Sequence, residues 1–147
     1  EYRAPELSCA LLYSQLLKVK KIQNIRKKNW NIFKNLIDKF NTQKFYLIKS
    51  NRKSTSAYHI LGLIFKTTEL ANKFKHIFQQ KKIAATFHYV PLHKSKMGKK
   101  YCNYALPITE NIYNKVVRLP LYAGMTRKEL IKISSLIKDF LTKNINH

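Results

Sequence analysis

The densest group of side chains that could do chemistry lies in residues 87–93, which read FHYVPLH. His88, Tyr89 and His93 surround a proline, and a histidine titrates near neutral pH and can donate or accept a hydrogen bond. Such a group suits the binding of a phosphate or a sugar hydroxyl. The alternative is structural, with His88 bonded to a backbone carbonyl and His93 exposed. No nearby carboxylate or thiolate supplies a third metal ligand, so we predict no metal site.

The motifs of self-contained enzymes are missing from the sequence. There is no G-x-S-x-G turn, no Walker loop and no G-x-G-x-x-G, and the chain has three glycines in all. Seven Asp and Glu residues supply few groups for general acid–base chemistry. The sequence therefore does not predict an enzyme that is complete in itself, and we nominate no catalytic residue.

The charge is strongly basic, with 29 Lys and Arg against 7 Asp and Glu, a net charge of +22. Such an excess suggests an anionic partner, with nucleic acid the first candidate. The basic residues are nevertheless spread along the whole chain, without an arginine-rich arm, zinc-finger spacing or an aromatic RNA-binding signature. This distribution favours a solvated lysine surface over a nucleic-acid site. With no membrane-spanning or signal-peptide pattern either, we expect a cytoplasmic protein.

The first forty residues are predicted to form one long helix or two helices in series. Pro5 suits a first helical position and Glu6 complements the helix dipole. Apolar residues then recur at helical spacing and form a stripe. These are Leu7, Ala10, Leu11, Leu17, Ile22, Ile25, Phe33, Leu36 and Phe40. A long amphipathic helix of this kind needs a partner surface.

The remaining residues alternate between short apolar runs and helical patterns. Strands are predicted at 45–48, 58–65 and 83–89, helices at 69–80, 109–117 and 126–140, and an extended piece at 119–122. Thr67 or Thr68 and Thr126 are the expected helix caps. Strand 58–65 is apolar on both faces, so we expect it to be covered on both. The fold class that follows is α+β.

Three segments in order resemble one known family. Residues 1–16 (EYRAPELSCALLYSQL), 87–98 (FHYVPLHKSKMG) and 109–126, which contain RLPLY, resemble the DegT/DnrJ/EryC1/StrS aminotransferases. The three blocks span nearly the whole chain at compatible spacing, which is more specific than any one of them. The H-Y-x-P-L-H form is similar to that of transaminases for dTDP-4-amino-4,6-dideoxygalactose.

The resemblance implies a homodimeric fold type I enzyme that uses pyridoxal 5′-phosphate (PLP), glutamate and a dTDP-4-dehydro-6-deoxy sugar, for cell-surface polysaccharides such as lipopolysaccharide. Residues 1–41 would be a long linking helix region from the large domain. Residues 42–147 would be the small C-terminal domain, a short and mainly antiparallel sheet packed by helices. The Schiff-base lysine of the family lies upstream of Glu1, so the chain is expected to be inactive alone and to need the missing N-terminal portion or a partner chain.

The resemblance also assigns binding roles by position. Tyr2 and Arg3 match the loop that reaches the cofactor phosphate in the neighbouring subunit, where a guanidinium is apt. Glu1 departs from the usual Asn or Ser, and its carboxylate would repel a phosphate. His88, Tyr89 and His93 match the segment that lines the entrance for the nucleotide sugar.

Three hypotheses follow. The first is a C-terminal portion of a PLP-dependent sugar aminotransferase. The second is a non-catalytic basic module that binds nucleotide sugars or nucleic acid. The third is a degenerate remnant without a selected function.

Overall fold

Two helices in series lie between Glu6 and Lys39. The computed structural model describes residues 3–40, 42–50, 53–87, 89–101 and 104–143. Within them the helices and strands are α1 (Glu6–Leu16), α2 (Val19–Lys39), β1 (Phe45–Leu47), β2 (Leu61–Phe65), α3 (Thr68–Gln80), α4 (Pro107–Ile112), β3 (Val116–Leu119) and α5 (Arg127–Lys143). Of the two predictions for the first segment, the pair of helices is confirmed, with a tight turn at Leu17 and Lys18 between them.

The three strands form one antiparallel sheet in the order β1-β2-β3. Phe45 pairs with Phe65, and Leu61 pairs with Leu119. Because side chains alternate between the two faces of a sheet, one face is apolar and lies against the helices. Its buried residues are Phe45, Leu61, Leu63, Phe65, Val117 and Leu119.

The core lies between this face of the sheet and helices α2, α3 and α5. Phe74 of α3 is at its centre, with the rings of Phe65 and Phe140 each 5.0 Å away and that of Phe78 at 4.3 Å. The second half of α2 contributes to the same core through buried side chains such as Phe33. Helix α2 therefore packs in the same core as the sheet, α3 and α5.

Side-chain caps begin two of the helices at the predicted threonines. Thr67 Oγ1 accepts a hydrogen bond from the backbone N–H of Leu70 (3.2 Å) at the start of α3. At the start of α5, Thr126 Oγ1 accepts from the N–H of Glu129 (3.2 Å), and Glu129 Oε2 accepts in return from the N–H of Thr126 (2.7 Å). This reciprocal pair is a capping box, which satisfies two donors that a helix end otherwise leaves unpaired.

One predicted strand is wrong, and two other predicted segments are present with different bounds. Residues 83–89 are not a strand among the described residues, where only Thr86 makes an isolated bridge, to Arg118. The predicted helix 109–117 ends at Ile112, and Val116 and Val117 instead open β3. Pairing with β2 overrides the local helical pattern, because a β-branched pair gains more from cross-strand packing. The strand predicted to begin at residue 58 begins at Leu61.

The prediction of a single apolar stripe is wrong for α1. Leu7, Leu12 and Tyr13 are all exposed, and at 3.6 residues per turn they project about 120° apart around the helix axis. None of the residues of α1 is buried. Helices that are apolar all round are normally enclosed by other polypeptide.

The predicted fold class is confirmed: the described residues form an α+β arrangement of helices and a small antiparallel sheet. In the described part of the chain, no helix is long and apolar enough to span a bilayer.

Candidate substrate-binding site

A tight loop carries the histidine that sequence reasoning singled out. Residues 92–94 form a single 3₁₀ turn that begins after the buried Pro91. Ser95 Oγ donates to the carbonyl oxygen of Leu92 (2.7 Å) and accepts from the N–H of Gly98 (2.9 Å). A Cβ atom on Gly98 would lie 1.7 Å from that carbonyl oxygen, so only glycine allows the approach. The loop therefore holds His93 on a closely packed backbone.

His93 is anchored by a carboxylate from α4. Its Nε2 atom lies 3.2 Å from Glu110 Oε1, and its side chain is only 9% exposed. An ionised carboxylate can only accept a hydrogen bond, so Nε2 is the donor. In the neutral ring this leaves Nδ1 as an acceptor. The prediction that left His93 simply exposed is thus wrong, because the side chain is held.

Glu110 also binds two further donors. Its Oε2 atom accepts from Lys94 Nζ (2.7 Å), and its Oε1 atom accepts from the backbone N–H of Leu106 (3.2 Å) at the start of α4. The hydrogen bond from Lys94, then that from Leu106, lower the pKa of Glu110 to about 2, and His93 contributes in the same direction. The hydrogen bond with Glu110 raises the pKa of Lys94. The carboxylate therefore stays ionised at any ordinary pH, and it ties the His93 loop to α4.

We call His93, Lys94 and Glu110 the histidine cluster. It presents an oriented imidazole beside an ammonium group whose Nζ also lies 5.5 Å from the ring centre of Tyr113. Such a cluster can accept a hydrogen bond from a hydroxyl and donate others through Lys94, but it holds no nucleophile in a position to react. Its chemistry is that of a binding site.

The other predicted site residues are not brought together. Tyr2 and His88 lie outside the described residues. Tyr89 is exposed and has a φ of 59°, a left-handed conformation that is unusual for tyrosine, within the same loop as His93. Arg3 is exposed at the start of the described chain.

Sequence reasoning missed Glu110 and Lys94 as members of the site. Glu110 lies in the predicted helix 109–117, 17 positions after His93 along the chain. The one available signal was the scarcity of acidic residues, since each of seven carboxylates among 29 cationic side chains is a candidate for a specific ion pair.

The described residues do not form a PLP site by themselves. Of the two nominated cofactor residues only Arg3 is described, and it takes part in none of the described hydrogen bonds, ion pairs or ring contacts. A single exposed guanidinium suits a phosphate group but is not a phosphate cup. No reaction step through the cofactor can be derived from these residues. Nor do the described residues contain a group of three or more side chains able to hold a metal ion.

Comparison with known proteins shows which family the chain resembles. The model of the DegT/DnrJ/EryC1/StrS aminotransferase family matches residues 1–138. An uncharacterised protein of Methanocaldococcus jannaschii is 25% identical over 98% of this chain and 38% of its own length. The dTDP-3-amino-3,6-dideoxy-alpha-D-galactopyranose transaminase of Aneurinibacillus thermoaerophilus is 25% identical over 56% of this chain and 23% of its own length.

Solved structures agree on the fold. The aminotransferase PseC of Helicobacter pylori, involved in pseudaminic acid biosynthesis, superposes with a TM-score of 0.82 at 19% identity, over 96% of this chain and 38% of its own. DesV of S. venezuelae gives a TM-score of 0.84 at 15% identity, over 95% of this chain and 37% of its own. The chain thus spans less than two-fifths of the length of these relatives. With the family model matched along almost all of its residues, the chain belongs to the DegT/DnrJ/EryC1/StrS family of PLP-dependent aminotransferases.

Proposed function

We propose that this chain is the C-terminal part of a PLP-dependent aminotransferase that moves an amino group from glutamate to the C4 ketone of a dTDP-4-dehydro-6-deoxy sugar. The enzyme would act in the cytoplasm, and its product would be a precursor of cell-surface polysaccharides. The observation that carries this proposal is the family match over residues 1–138, together with the oriented His93 in the matching loop.

The ring position of the ketone has a second candidate. The Aneurinibacillus thermoaerophilus relative is named for a 3-amino sugar on dTDP, which supports a dTDP-linked substrate and favours C3 as the alternative to C4. Both ketones belong to 6-deoxyhexoses on the same nucleotide. An assay with both substrates separates the two.

Within such an enzyme the histidine cluster would bind the nucleotide sugar. With Nε2 donating to Glu110, the Nδ1 atom of His93 can accept a hydrogen bond from a sugar hydroxyl, and the remaining N–H donors of Lys94 can bind an oxygen of the substrate. Glu110 would orient both His93 and Lys94 as an ionised carboxylate, because its contacts lower its pKa to about 2. We assign Tyr89 and His88 to the same entrance, and Tyr2 and Arg3 to the cofactor phosphate.

The remainder of the enzyme would come from further polypeptide. We propose that residues 1–41 link the small domain, residues 42–147, to a large domain that supplies the Schiff-base lysine. The exposed apolar surface of α1 supports this, since a covering chain would bury Leu7, Leu12 and Tyr13 together. PLP, when bound there, supplies the electron sink for the reaction. The assembled enzyme would be a homodimer, as in the family.

The test of this proposal is reconstitution. The chain is assayed alone and together with a polypeptide that supplies the large domain, using PLP, glutamate and the 4-keto and 3-keto sugars on dTDP. We expect cofactor absorbance and turnover only in the combined sample. No cofactor signal and no turnover in either sample would contradict the proposal and leave a binding module or a remnant.

A substitution tests the role of His93 in the reconstituted enzyme. Removing an oriented hydrogen bond to a polar substrate costs about 1.5 kcal/mol, or roughly tenfold in affinity. We expect His93→Ala to weaken binding of the nucleotide sugar by about that factor and to leave PLP binding unchanged. His76→Ala, on the exposed surface of α3, is the matched control. Equal losses of sugar and PLP binding would refute the assignment.

A further inference from the structure

A small cavity of about 260 Å³ lies where the end of α3, the segment after β3 and helix α5 meet. We call it the α3–α5 pocket; it is lined by Lys82, Ile83, Ala84, Pro120, Tyr122, Met125, Glu129, Lys132 and Ile133. It shares no residue with the histidine cluster or with the positions assigned to the cofactor. Pockets for drug-sized molecules have about 300–1,000 Å³, so this one suits a ligand smaller than a nucleotide sugar.

The pocket has an apolar floor and a charged rim. Met125 and Ile133 are buried in the core, and Ile83 is half-buried beside them. The charged lining residues, Lys82, Glu129 and Lys132, are all exposed. A ligand that fits this lining therefore has an apolar part for the floor and charged groups for the rim.

Lys82 lines the pocket in a backbone conformation that lysine rarely adopts. At the end of α3 the N–H of Ile83 donates to the carbonyl oxygen of Phe78 (3.0 Å), and the N–H of Lys82 donates to that of Gln79 (2.9 Å). This Schellman motif requires a positive φ at position 82, where Lys82 has a φ of 56° and helices usually have glycine. Strained backbone concentrates at functional positions, which makes the Lys82 side chain a candidate ligand-binding group.

A second ammonium group is held next to the end of α3. Lys132 Nζ donates to the carbonyl oxygen of Lys81 (3.1 Å), the residue that precedes Lys82. A lysine ammonium has three N–H donors, so two remain for a ligand. Two lysines on one rim suit a carboxylate, because a hydrogen bond between two ionised groups is stronger than one between neutral groups.

Glu129 adds an oriented carboxylate to the same rim. Its Oε2 atom accepts from both the N–H (2.7 Å) and the Oγ1 hydroxyl (2.8 Å) of Thr126, and its Oε1 atom accepts from the Tyr122 hydroxyl (2.6 Å). The hydrogen bond from Tyr122, then those from Thr126, lower the pKa of Glu129, so the carboxylate is ionised at neutral pH. Each carboxylate oxygen can accept two hydrogen bonds, so Oε1 has one acceptor position left.

We propose that the α3–α5 pocket binds a free α-amino acid with an apolar side chain. The carboxylate of the ligand would bind Lys82 and Lys132, its ammonium group would bind Glu129 Oε1, and its side chain would lie on Met125 and Ile133. A simple anion would leave Glu129 unmatched and a simple cation would leave both lysines unmatched, whereas a zwitterion matches all three.

This ligand is separate from the proposed transamination. Glutamate, the proposed amino donor, would place its second carboxylate on the apolar floor, and burial of an unpaired charge is unfavourable. The pocket also needs neither PLP nor the large domain, so the chain alone is sufficient for the test.

The experiment measures ligand binding to the full chain by saturation-transfer NMR, at about 0.3 M salt to screen diffuse charge attraction. The probes are leucine, leucinamide, which lacks the carboxylate, 4-methylpentanoate, which lacks the ammonium group, and glutamate. We expect leucine to bind with a Kd on the order of 1 mM, as suits so small a ligand. Each of the other probes should bind about tenfold more weakly, because each leaves one part of the pocket unmatched.

Two substitutions separate binding from folding. Lys82→Gly should weaken leucine binding about tenfold, yet fold at least as stably as wild type, because glycine adopts a positive φ without strain. Lys132→Gln should also weaken binding, whereas Lys128→Gln, the same change at an exposed position of α5 outside the pocket, should leave it unaltered.

The proposal is overturned if leucine does not bind, or if Lys82→Gly leaves its binding unchanged. Equal losses in Lys132→Gln and Lys128→Gln would show diffuse charge binding and have the same consequence. So would leucinamide, 4-methylpentanoate or glutamate binding as tightly as leucine. None of these outcomes affects the reconstitution assay, which tests the aminotransferase separately.

Discussion

Replacing Phe74 with alanine should remove a large part of the stability of this domain. The side chain is fully buried and touches four aromatic neighbours, with ring-centre distances from 4.3 Å to Phe78 to 6.3 Å to Phe45. Burial of such a side chain contributes about 1.5–3 kcal/mol, and the cavity left by truncation raises the cost to about 3–5 kcal/mol. Since domains have about 5–15 kcal/mol in total, Phe74→Ala should shift the unfolding midpoint strongly.

The measurement is denaturant unfolding followed by circular dichroism and by Trp30 fluorescence. Phe87→Ala is the matched control, because Phe87 is 55% exposed and its loss should change the free energy of unfolding by less than about 0.5 kcal/mol. Phe74→Leu, which keeps most of the volume, should cost less than Phe74→Ala and provides a measurement if the alanine variant does not fold. A loss below about 1 kcal/mol for Phe74→Ala, or one equal to that of Phe87→Ala, would refute the packing described here.

Three other perturbations have defined outcomes. The contacts of Glu110 lower its pKa from 4.5 to about 2, so the stability that they contribute is complete above about pH 4.5 and is lost as the pH falls through 2. The difference in urea midpoint between wild type and Glu110→Gln should therefore shrink as the pH falls over that range. A difference that does not depend on pH would contradict the ion pair. Thr126→Ala removes one half of the capping box of α5 and should lower the free energy of unfolding by about 1 kcal/mol, measured by thermal or urea unfolding; Thr142→Ala, near the other end of the same helix, should cost less. The exposed apolar surface of α1 should make the isolated chain self-associate. The double variant Leu7→Lys, Leu12→Lys should increase the monomer fraction measured by light scattering. A wild-type chain that is monomeric at all concentrations would argue against this surface being an interface.

The histidine cluster shows which part of a binding site can be predicted from neighbouring residues in the sequence and which part cannot. His93 was found from the sequence because a histidine beside a proline-containing turn is recognisable locally. Its partner Glu110 was not, since the two side chains meet only when α4 packs against the loop. The same holds for the sheet: nothing in the sequence alone indicated that Gly62 and Arg118 are paired on adjacent strands, because strand register depends on long-range pairing.

Local chemistry in the sequence was enough to predict a helical N-terminal segment, the cap at Thr126 and the α+β class, because helical periodicity and capping involve neighbours within one or two turns. Whether that segment is one helix or two, and whether Thr67 or Thr68 caps α3, was decided by the structure. The three ordered motifs also determined the family, which the match over residues 1–138 confirms. Only the tertiary structure decided that Val116 and Val117 are a strand, that α1 is bare on all sides, and which carboxylate holds His93. These depend on contacts between segments far apart in the chain, whose free energies exceed the local preferences of the residues involved.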